Sequence, residues 1–396
     1  MTGLSSRLRE LLKTERHSVQ SLAGVPAART VELDPAEALG GRYRGTGSTR
    51  CLVVEREYSP SACHGSILMQ ECAEAASFRD QLDVLAGTRV ACRPEAPIVF
   101  LDIETTGLAG GAGTYVFLVG CGAFDAGAFS TRQFFLSGHA AERGLLAAVS
   151  DWLGDAGVIV TFNGKTFDVP VIETRYLFHR VRFPLARLSH VDMLHTARRL
   201  WRGEESCALQ VLEHTLLGVR REGDVPGAEI PARYLHYIRT GDARPLAPVL
   251  EHNRLDLRSL AVLTARAMRM AQEGPAAARD PGECLGLGRL YDRAGLCARA
   301  IDCYAAASRE GADRDVRAEA LRRLALRLRR ERRHHEAAAA WQQVLALASE
   351  KGRGSGVGIF SRASGARSAR DPPRAPLPRP RRRLCVRNPR GRPGCP

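Results

Sequence analysis

The clearest hydrophobic patterning in the chain lies between residues 96 and 270. Short apolar runs bounded by turn residues predict strands, and apolar residues spaced by three and four predict a helix. In chain order the block reads strand, strand, strand, helix and strand, in the segments APIVFLDIET, TYVFLVGCGAF, FSTRQFFL, AAERGLLAAVSDWLG and GVIVTFNG. The turn DAGA between the second and third strands predicts a hairpin. This order predicts a mixed sheet flanked by helices.

The regions on either side of this block have weaker patterns. Residues 1–95 contain one clear strand prediction, Cys51–Tyr58, and are otherwise unassigned. Residues 271–280 are predicted to be a linker, because glycine and proline interrupt the helical pattern there. We therefore expect the central domain to span residues 96–270.

The segment 281–349 has a helical pattern that repeats. Six positions match the spacing of a tetratricopeptide unit and recur 37 residues later, slightly more than the usual period of ~34. The matching residues are Leu287, Gly288, Tyr291, Ala300, Tyr304 and Ala307, followed by Leu324, Ala325, Leu328, Ala337, Trp341 and Val344. Such arrays need ~3 repeats for stability, so we expect these two to pack against the central domain or to continue further.

Charge is concentrated at the C-terminal end. The chain has a net charge of +15, but residues 351–396 hold 13 basic residues and one acid, Asp371. The rest of the chain is nearly neutral, so the net charge does not indicate that the folded part binds a polyanion. The Arg/Pro/Gly tail at 351–396 is predicted to be disordered. It is either a basic nucleic-acid-binding tail or the product of a frame slip, which we favour because the repeat stops abruptly.

The remaining composition indicates a cytoplasmic protein. No apolar run reaches the length of a membrane span, and the N-terminal stretch lacks the long apolar core of a secretion signal. The eleven cysteines are scattered, without a CxxC pair or the Cys/His spacing of a zinc site. We expect them to be reduced, with several of them at core positions.

Two acids lie at the end of the first strand of the central block. Asp102 and Glu104 are two residues apart, so a strand points both to the same face of the sheet. Two carboxylates this close repel each other unless a cation lies between them, and a hard divalent cation prefers oxygen ligands. The pair alone favours the simpler interpretation of a strand that ends in a polar turn.

Two further clusters of polar residues follow. Asn163 ends a predicted strand, and Phe167 and Asp168 begin a helix. His252 and Asp256 are four residues apart on a predicted helix and therefore share a face. Taken singly, these residues also suit a turn, a helix cap and a surface ion pair.

Together, the three clusters resemble the DnaQ-like (DEDD) 3′–5′ exonuclease superfamily, which has an RNase H-like fold. Asp-x-Glu, Asn-x3-Phe-Asp and His-x3-Asp occur in the superfamily's order, and DIETTGL is similar to its first motif. HVDMLHTARRLW is similar to its Asp-x5-Arg segment, with Asp192 and Arg198 in those places. GGAGTY, NGKTFDVPVI, VPGAEIPARYLHYIRTGD and HNRLDLRSL resemble the YprB subgroup, whose members often carry tetratricopeptide repeats. The resemblance covers about residues 50–345.

The resemblance implies an α/β protein: an RNase H-like mixed sheet flanked by helices, then a small α-helical repeat region and the tail. It implies a metal-dependent 3′–5′ exonuclease that acts on single-stranded 3′ ends of DNA or RNA. Two Mg²⁺ or Mn²⁺ ions, ~4 Å apart, would be held by four acids, namely Asp102, Glu104, Asp168 and Asp256. His252 would be the general base. Substrate contacts are implied at Thr105, Thr106, Leu108, Asn163 and Phe167.

One spacing departs from the superfamily. Its histidine branch usually has four residues between the base and the last aspartate, and its tyrosine branch has three. Here three residues separate His252 from Asp256. One residue of an α-helix is about 100° of rotation. The departure therefore bears on the general base more than on the metal ligands.

Other polar residues near the motifs have simpler interpretations. Asp192 is predicted to cap a helix rather than to act as a fifth site acid. His179, His190 and His195 are predicted to be surface or packing residues. Lys165 suits either a phosphate contact or a solvent-facing turn.

Two other functions fit the same sequence. The first is a catalytically weak nucleic-acid-binding or adaptor protein that binds a protein partner through its helical repeats. The second is a transposase-like or structure-specific endonuclease built on the same fold. We rank both below the exonuclease, because the full set of four acids and a histidine is present.

Overall fold

The computed structural model describes residues 33–91, 93, 95–107 and 113–354. The predicted tail lies outside the described residues, apart from the helix end at 351–354. The strands are β1 (Arg42–Arg44), β2 (Cys51–Tyr58), β3 (Cys63–His64), β4 (Ile67–Leu68), β5 (Ile98–Thr105), β6 (Val116–Asp125), β7 (Ala128–Phe135), β8 (Val158–Thr161) and β9 (Ser189–Asp192).

Seven of these strands form one mixed sheet in the order β1-β2-β7-β6-β5-β8-β9. β5 is antiparallel to β6 and parallel to β8. The predicted hairpin joins β6 to β7 through Ala126 and Gly127, whose φ angles are both positive, as a two-residue hairpin turn requires. β2 pairs with β7 from Leu52 to Tyr58, so the sheet includes strands that precede residue 96.

Helices cover the sheet and continue beyond it. In the described residues they are α1 (Pro35–Leu39), α2 (Met69–Ala76), α3 (Gln81–Ala86), α4 (Glu142–Trp152), α5 (Asp168–Phe178), α6 (Met193–Leu200), α7 (Leu209–Leu212), α8 (Ile230–Thr240), α9 (Ala247–Glu273), α10 (Pro281–Arg293), α11 (Cys297–Ala307), α12 (Arg314–Arg330) and α13 (His334–Gly354). None of the helices described is long and apolar enough to cross a membrane. The predicted order of three strands, a helix and a strand is confirmed by β5, β6, β7, α4 and β8.

The two faces of the sheet bury two separate cores, and β5 contributes to both. Val99, Leu101 and Ile103 pack with α4, α5 and α8. Ile98 and Phe100 point the other way and pack with α2, α3, α6 and α9. Asp102 and Glu104 continue that second row, because side chains alternate along a strand. The periodicity of β5 therefore directs both carboxylates to the face on which α9 lies.

The C-terminal helices pack against the sheet domain, as expected for a short array. A Cβ on Gly286 of α10 would lie 2.4 Å from the carbonyl oxygen of Leu200, so glycine permits this close contact with α6. The indole of Trp201 donates a 3.0 Å hydrogen bond to Glu283. The segment 271–280 differs from the predicted linker: α9 continues to Glu273, and a 3₁₀ turn leads to α10. The assignment of these helices as tetratricopeptide repeats stays a prediction.

Candidate active site

The end of β5 holds the first two acids of the site. Asp102 and Glu104 are both half-buried on the α9 face of the sheet. The register between β5 and β6 shifts between Glu104 and Thr105, which is a β-bulge. Bulges are common beside active sites, where they redirect side chains and end regular pairing.

Two threonines follow these acids, and both are held by hydrogen bonds. The Thr105 hydroxyl donates to the carbonyl oxygen of Gly107 at 2.9 Å. Thr106 is tied to Tyr115 by two 3.0 Å bonds, one between the backbones and one from the Tyr115 amide to the Thr106 hydroxyl. Leu108, implied as a substrate contact, lies outside the described residues.

Asp168 begins α5 and is almost completely buried, with 6% of its surface exposed. Phe167 precedes it and is half-buried, whereas Asn163 is exposed in a turn with a positive φ of 66°. The Asn163 side-chain oxygen accepts a 2.8 Å bond from the Thr166 hydroxyl. Asn163 and Phe167 thus both precede Asp168 in the segment that leads into α5.

Asp192 holds this turn in place. It caps α6 by accepting a bond from the Leu194 amide at 3.1 Å, as predicted. It also accepts bonds from the amides of Asn163 at 2.9 Å and Lys165 at 3.0 Å. Asp192 is therefore a structural anchor for the loop that leads to Asp168. Lys165 itself has an exposed side chain.

α9 contributes the third cluster. His252 and Asp256 share a face, with His252 Nε2 3.5 Å from Asp256 Oδ2. The spacing of three intervening residues thus keeps the imidazole beside the last acid. On its other side, His252 Nδ1 lies 2.7 Å from Asp224 Oδ1. Sequence patterning did not single out Asp224, which lies in the loop between α7 and α8.

Arg221, from the same loop, ties several acids together. Its guanidinium donates to Asp256 at 2.5 Å, to Asp224 at 3.1 Å and to Glu213 at 2.6 Å. Burial would lower the pKa of Arg221, but its bonds to Glu213 and the charge of Asp256 outweigh burial and raise it. Arg221 is therefore a permanent cation beside Asp256. Glu213 also accepts a 2.5 Å bond from the buried Ser259 hydroxyl.

A second hydrogen-bond chain holds Asp102. The Asn253 amide of α9 donates to Asp102 Oδ2 at 2.7 Å, and its oxygen accepts from Gln133 at 2.8 Å. Gln133 also donates to the Leu250 carbonyl oxygen at 2.8 Å and accepts from Arg254 at 2.9 Å. Asn253 and Gln133 are both completely buried. The only sequence signals for them are an amide inside an apolar strand and an asparagine beside the predicted base.

The four predicted metal-binding acids all have raised pKa values, and burial is the largest cause for each. The charges of Asp256, Glu104 and Asp168 raise the pKa of Asp102 further, and Glu104 is affected similarly. The pKa of Asp168 is raised to about 7. Arg221 and His252 oppose the rise at Asp256. Asp102 and Glu104 are thus near enough to Asp168 and Asp256 for the charges of those two acids to raise their pKa values.

This set of donors fits a hard divalent cation, because it consists of carboxylate oxygens whose mutual repulsion a cation would relieve. In the described part of the chain, no three His, Cys, Asp or Glu side chains converge on one point as they stand. Asp102 is bonded to Asn253 and Asp256 to Arg221, so at least these two carboxylates have other partners. The assignment of Asp102, Glu104, Asp168 and Asp256 as the ligands of such a cation stays a prediction.

The other histidines near the site serve packing. His190 bonds the Thr161 hydroxyl at 2.8 Å, and burial lowers its pKa to about 4. His179 bonds Glu142 at 2.7 Å, and Glu142 also pairs with the buried Arg175. These contacts agree with the prediction that both are structural residues.

Comparison with known proteins supports the fold. Residues 99–268 match the RNase H superfamily. The chain is 35% identical over 214 residues to the uncharacterized protein YprB of Bacillus subtilis (strain 168), a match that covers 53% of this chain and 51% of YprB. The chain thus spans about half the length of this curated relative.

Among solved structures, the family B DNA polymerase of the archaeon Pyrobaculum calidifontis is similar, with 14% identity and a TM-score of 0.37. The match covers 63% of this chain and 35% of the polymerase chain. At that score no property of the polymerase transfers to this chain. The mixed sheet and the family match together identify residues 99–268 as an RNase H-like domain in a chain that resembles YprB.

Proposed function

We propose that this protein is a metal-dependent 3′–5′ exonuclease that hydrolyses phosphodiester bonds at single-stranded 3′ ends of DNA or RNA. The observation that carries the proposal is the set of four carboxylates whose pKa values are all raised, mainly by burial, with the last of them, Asp256, 3.5 Å from His252. Burying several acids together is costly unless a cation compensates their charge. The RNase H-like fold supplies the setting in which such acids are expected.

The chain's own residues have distinct tasks in this proposal. Two Mg²⁺ or Mn²⁺ ions, when bound, would supply the positive charge that activates a water molecule and stabilises the developing phosphate charge. The residues that would hold them are Asp102, Glu104, Asp168 and Asp256. His252 would accept the proton of the attacking water at Nε2, the ring nitrogen on the Asp256 side.

Residues next to the acids in two segments would position the substrate, one at the end of β5 and one just before α5. Thr105 ends β5 and Thr106 follows it, where a terminal nucleotide would pass the carboxylates. The half-buried ring of Phe167 and the exposed Asn163 would contact its base and sugar. Aromatic stacking binds single strands with little dependence on sequence. The substrate contact implied for Leu108 stays a prediction from the sequence.

A gel assay tests the proposal. Full-length protein is incubated with 5′-labelled single-stranded DNA or RNA in Mg²⁺, Mn²⁺ or EDTA, and compared with Asp102→Ala and His252→Ala. Asp242→Ala is the matched control, because Asp242 is a surface acid paired with Arg244. We expect a ladder that shortens from the 3′ end, requires metal, survives in Asp242→Ala and disappears in Asp102→Ala.

Other outcomes identify the alternatives. Cleavage of a circular single strand would replace the exonuclease with an endonuclease. Failure to cleave in every metal, together with binding to the same strands, would favour the adaptor function through the helical repeats. A ladder that persists in Asp102→Ala would contradict the assigned site.

A further inference from the structure

The carboxylate of Asp224 is held from four directions. Its Oδ1 accepts the amide of Val225 at 2.9 Å and lies 2.7 Å from His252 Nδ1. Its Oδ2 accepts Arg221 at 3.1 Å and Gln210 at 3.3 Å. A carboxylate with this many donors has one orientation, so the direction it presents to His252 is set by the loop.

The loop itself is fixed to α9. Gly223, just before Asp224, has a φ of 67°, a conformation that suits glycine. Arg221 connects Asp224 to Asp256 and to Glu213. The position of Asp224 is therefore coupled to the helix that carries His252.

The contact decides which imidazole nitrogen carries the proton. An ionised carboxylate only accepts hydrogen bonds, so His252 Nδ1 must donate to Asp224. In the neutral ring the lone pair is then on Nε2, which lies toward Asp256. Among the residues that the structure describes, Asp224 and Asp256 are the charged groups paired with the ring, and Arg221 contacts both of these acids; only Asp224 bonds Nδ1.

We propose that Asp224 is a positioning residue, which holds His252 in the tautomer with its lone pair on Nε2 and directs that nitrogen toward Asp256, the last of the four predicted metal-binding acids. The inference rests on the proposed exonuclease function, and it adds a residue to that site. Asp224 acts through His252 and would not touch the substrate. The same logic makes a buried carboxylate orient the histidine in other hydrolytic sites.

The test combines kinetics with a measurement that does not need activity. Wild type, Asp224→Ala, Asp224→Asn, His252→Ala and the Asp224→Ala/His252→Ala double variant are compared on labelled single strands, and kcat and KM are obtained separately. Asp242→Asn is the surface control. The histidine tautomer is measured in metal-free protein by ¹⁵N NMR of labelled histidines, with the His252 signal assigned from His252→Ala.

We expect Asp224→Ala to lower kcat by about 10- to 100-fold with little change in KM, the range typical of groups that orient a histidine through its second ring nitrogen in metal sites. Its effect should nearly vanish in the His252→Ala background, because both substitutions remove one unit. His252 should show a protonated Nδ1 in wild type and Asp242→Asn, and should lose that preference in Asp224→Ala. Asp224→Asn keeps the shape of the side chain and should also lower kcat. Its amide nitrogen is itself a donor and would face a donor, His252 Nδ1 or Arg221, that the carboxylate accepted.

Two results would overturn the inference: a neutral His252 ring in wild type whose single proton is on Nε2, or wild-type kcat in both Asp224 variants. If no variant, including wild type, cleaves any strand, the proposed function fails. The tautomer of His252 in wild type and in Asp224→Ala then still decides whether Asp224 orients the ring.

Discussion

Gly120 of β6 lies directly under Asn253 of α9: a Cβ at position 120 would be 2.1 Å from the Asn253 side-chain oxygen. In the sheet, Gly120 is the register partner of Asp102 on one side and of Gln133 on the other. The missing side chain therefore opens a gap through which Asn253 reaches both neighbours. This one contact connects α9, the centre of the sheet and the first acid of the site.

Gly120→Ala should destabilise the protein by about 1–3 kcal/mol, because the added methyl group overpacks a buried contact. The shift in the urea unfolding midpoint measures this loss. Gly154→Ala is the matched control, since nothing lies within 4 Å of a Cβ there. Adding Gly120→Ala to Asn253→Ala should cost little more than Asn253→Ala alone. Equal stability of Gly120→Ala and wild type would contradict the close contact.

Gln133→Leu should cost about 1–3 kcal/mol, because Asn253 and the Leu250 carbonyl each lose a buried donor. Thr131→Val, on the same strand, should cost less, since its hydroxyl makes only a 3.4 Å bond to the Arg56 carbonyl. Urea unfolding compares the two. We also expect weaker Mn²⁺ binding by calorimetry in Gln133→Leu, because Asp102 loses its support. An unchanged Mn²⁺ affinity would show that Gln133 does not support the Asp102 carboxylate.

The pH dependence of stability should reveal the buried acids. The pKa of Asp168 rises from 3.8 to about 7 on folding, so the folded protein binds more protons than the unfolded chain between these values. Stability contributed by this group is therefore present at low pH and is lost as pH rises through that interval. Asp168→Asn cannot ionise and should gain in melting temperature relative to metal-free wild type between pH 5 and 8.

The pKa of the surface acid Asp242 shifts in the opposite direction from that of Asp168. Its bond to Arg244 lowers its pKa, so Asp242→Asn should show no such gain as pH rises. Mg²⁺ or Mn²⁺ should raise the melting temperature of wild type more at pH 8 than at pH 5, because a cation binds the ionised acids. A relative stability of Asp168→Asn that does not change with pH would rule out the raised pKa.

Glu142→Gln should cost about 3–5 kcal/mol, because it removes the charge that compensates a buried guanidinium. Glu142 and Arg175 are 2.5 Å apart, and their side chains are only 2% and 1% exposed. The pair joins α4 to α5, the helix that begins with Asp168. Urea unfolding provides the measurement, and Asp242→Asn should leave the midpoint unchanged. A shift no larger than that of the control would show that the pair is not buried in solution.

Local regularities of the sequence determined much of the fold and the candidate acids. Alternation along β5 placed Asp102 and Glu104 on one face, and helical periodicity placed His252 and Asp256 on one face of α9. The DAGA turn predicted the hairpin. These features depend on backbone geometry over a few residues, which the order of side chains reveals directly.

Only the tertiary structure decided which of these faces meet. Asp224 reaches His252 from 28 positions away, and Gln133 reaches Asn253 from 120 positions away. The strand β2, which precedes the predicted domain, joins the sheet for the same reason. No local period encodes such pairs, because they arise from the packing of whole elements. A loop carboxylate and a glycine in a strand acquire their roles only when a helix is placed against them.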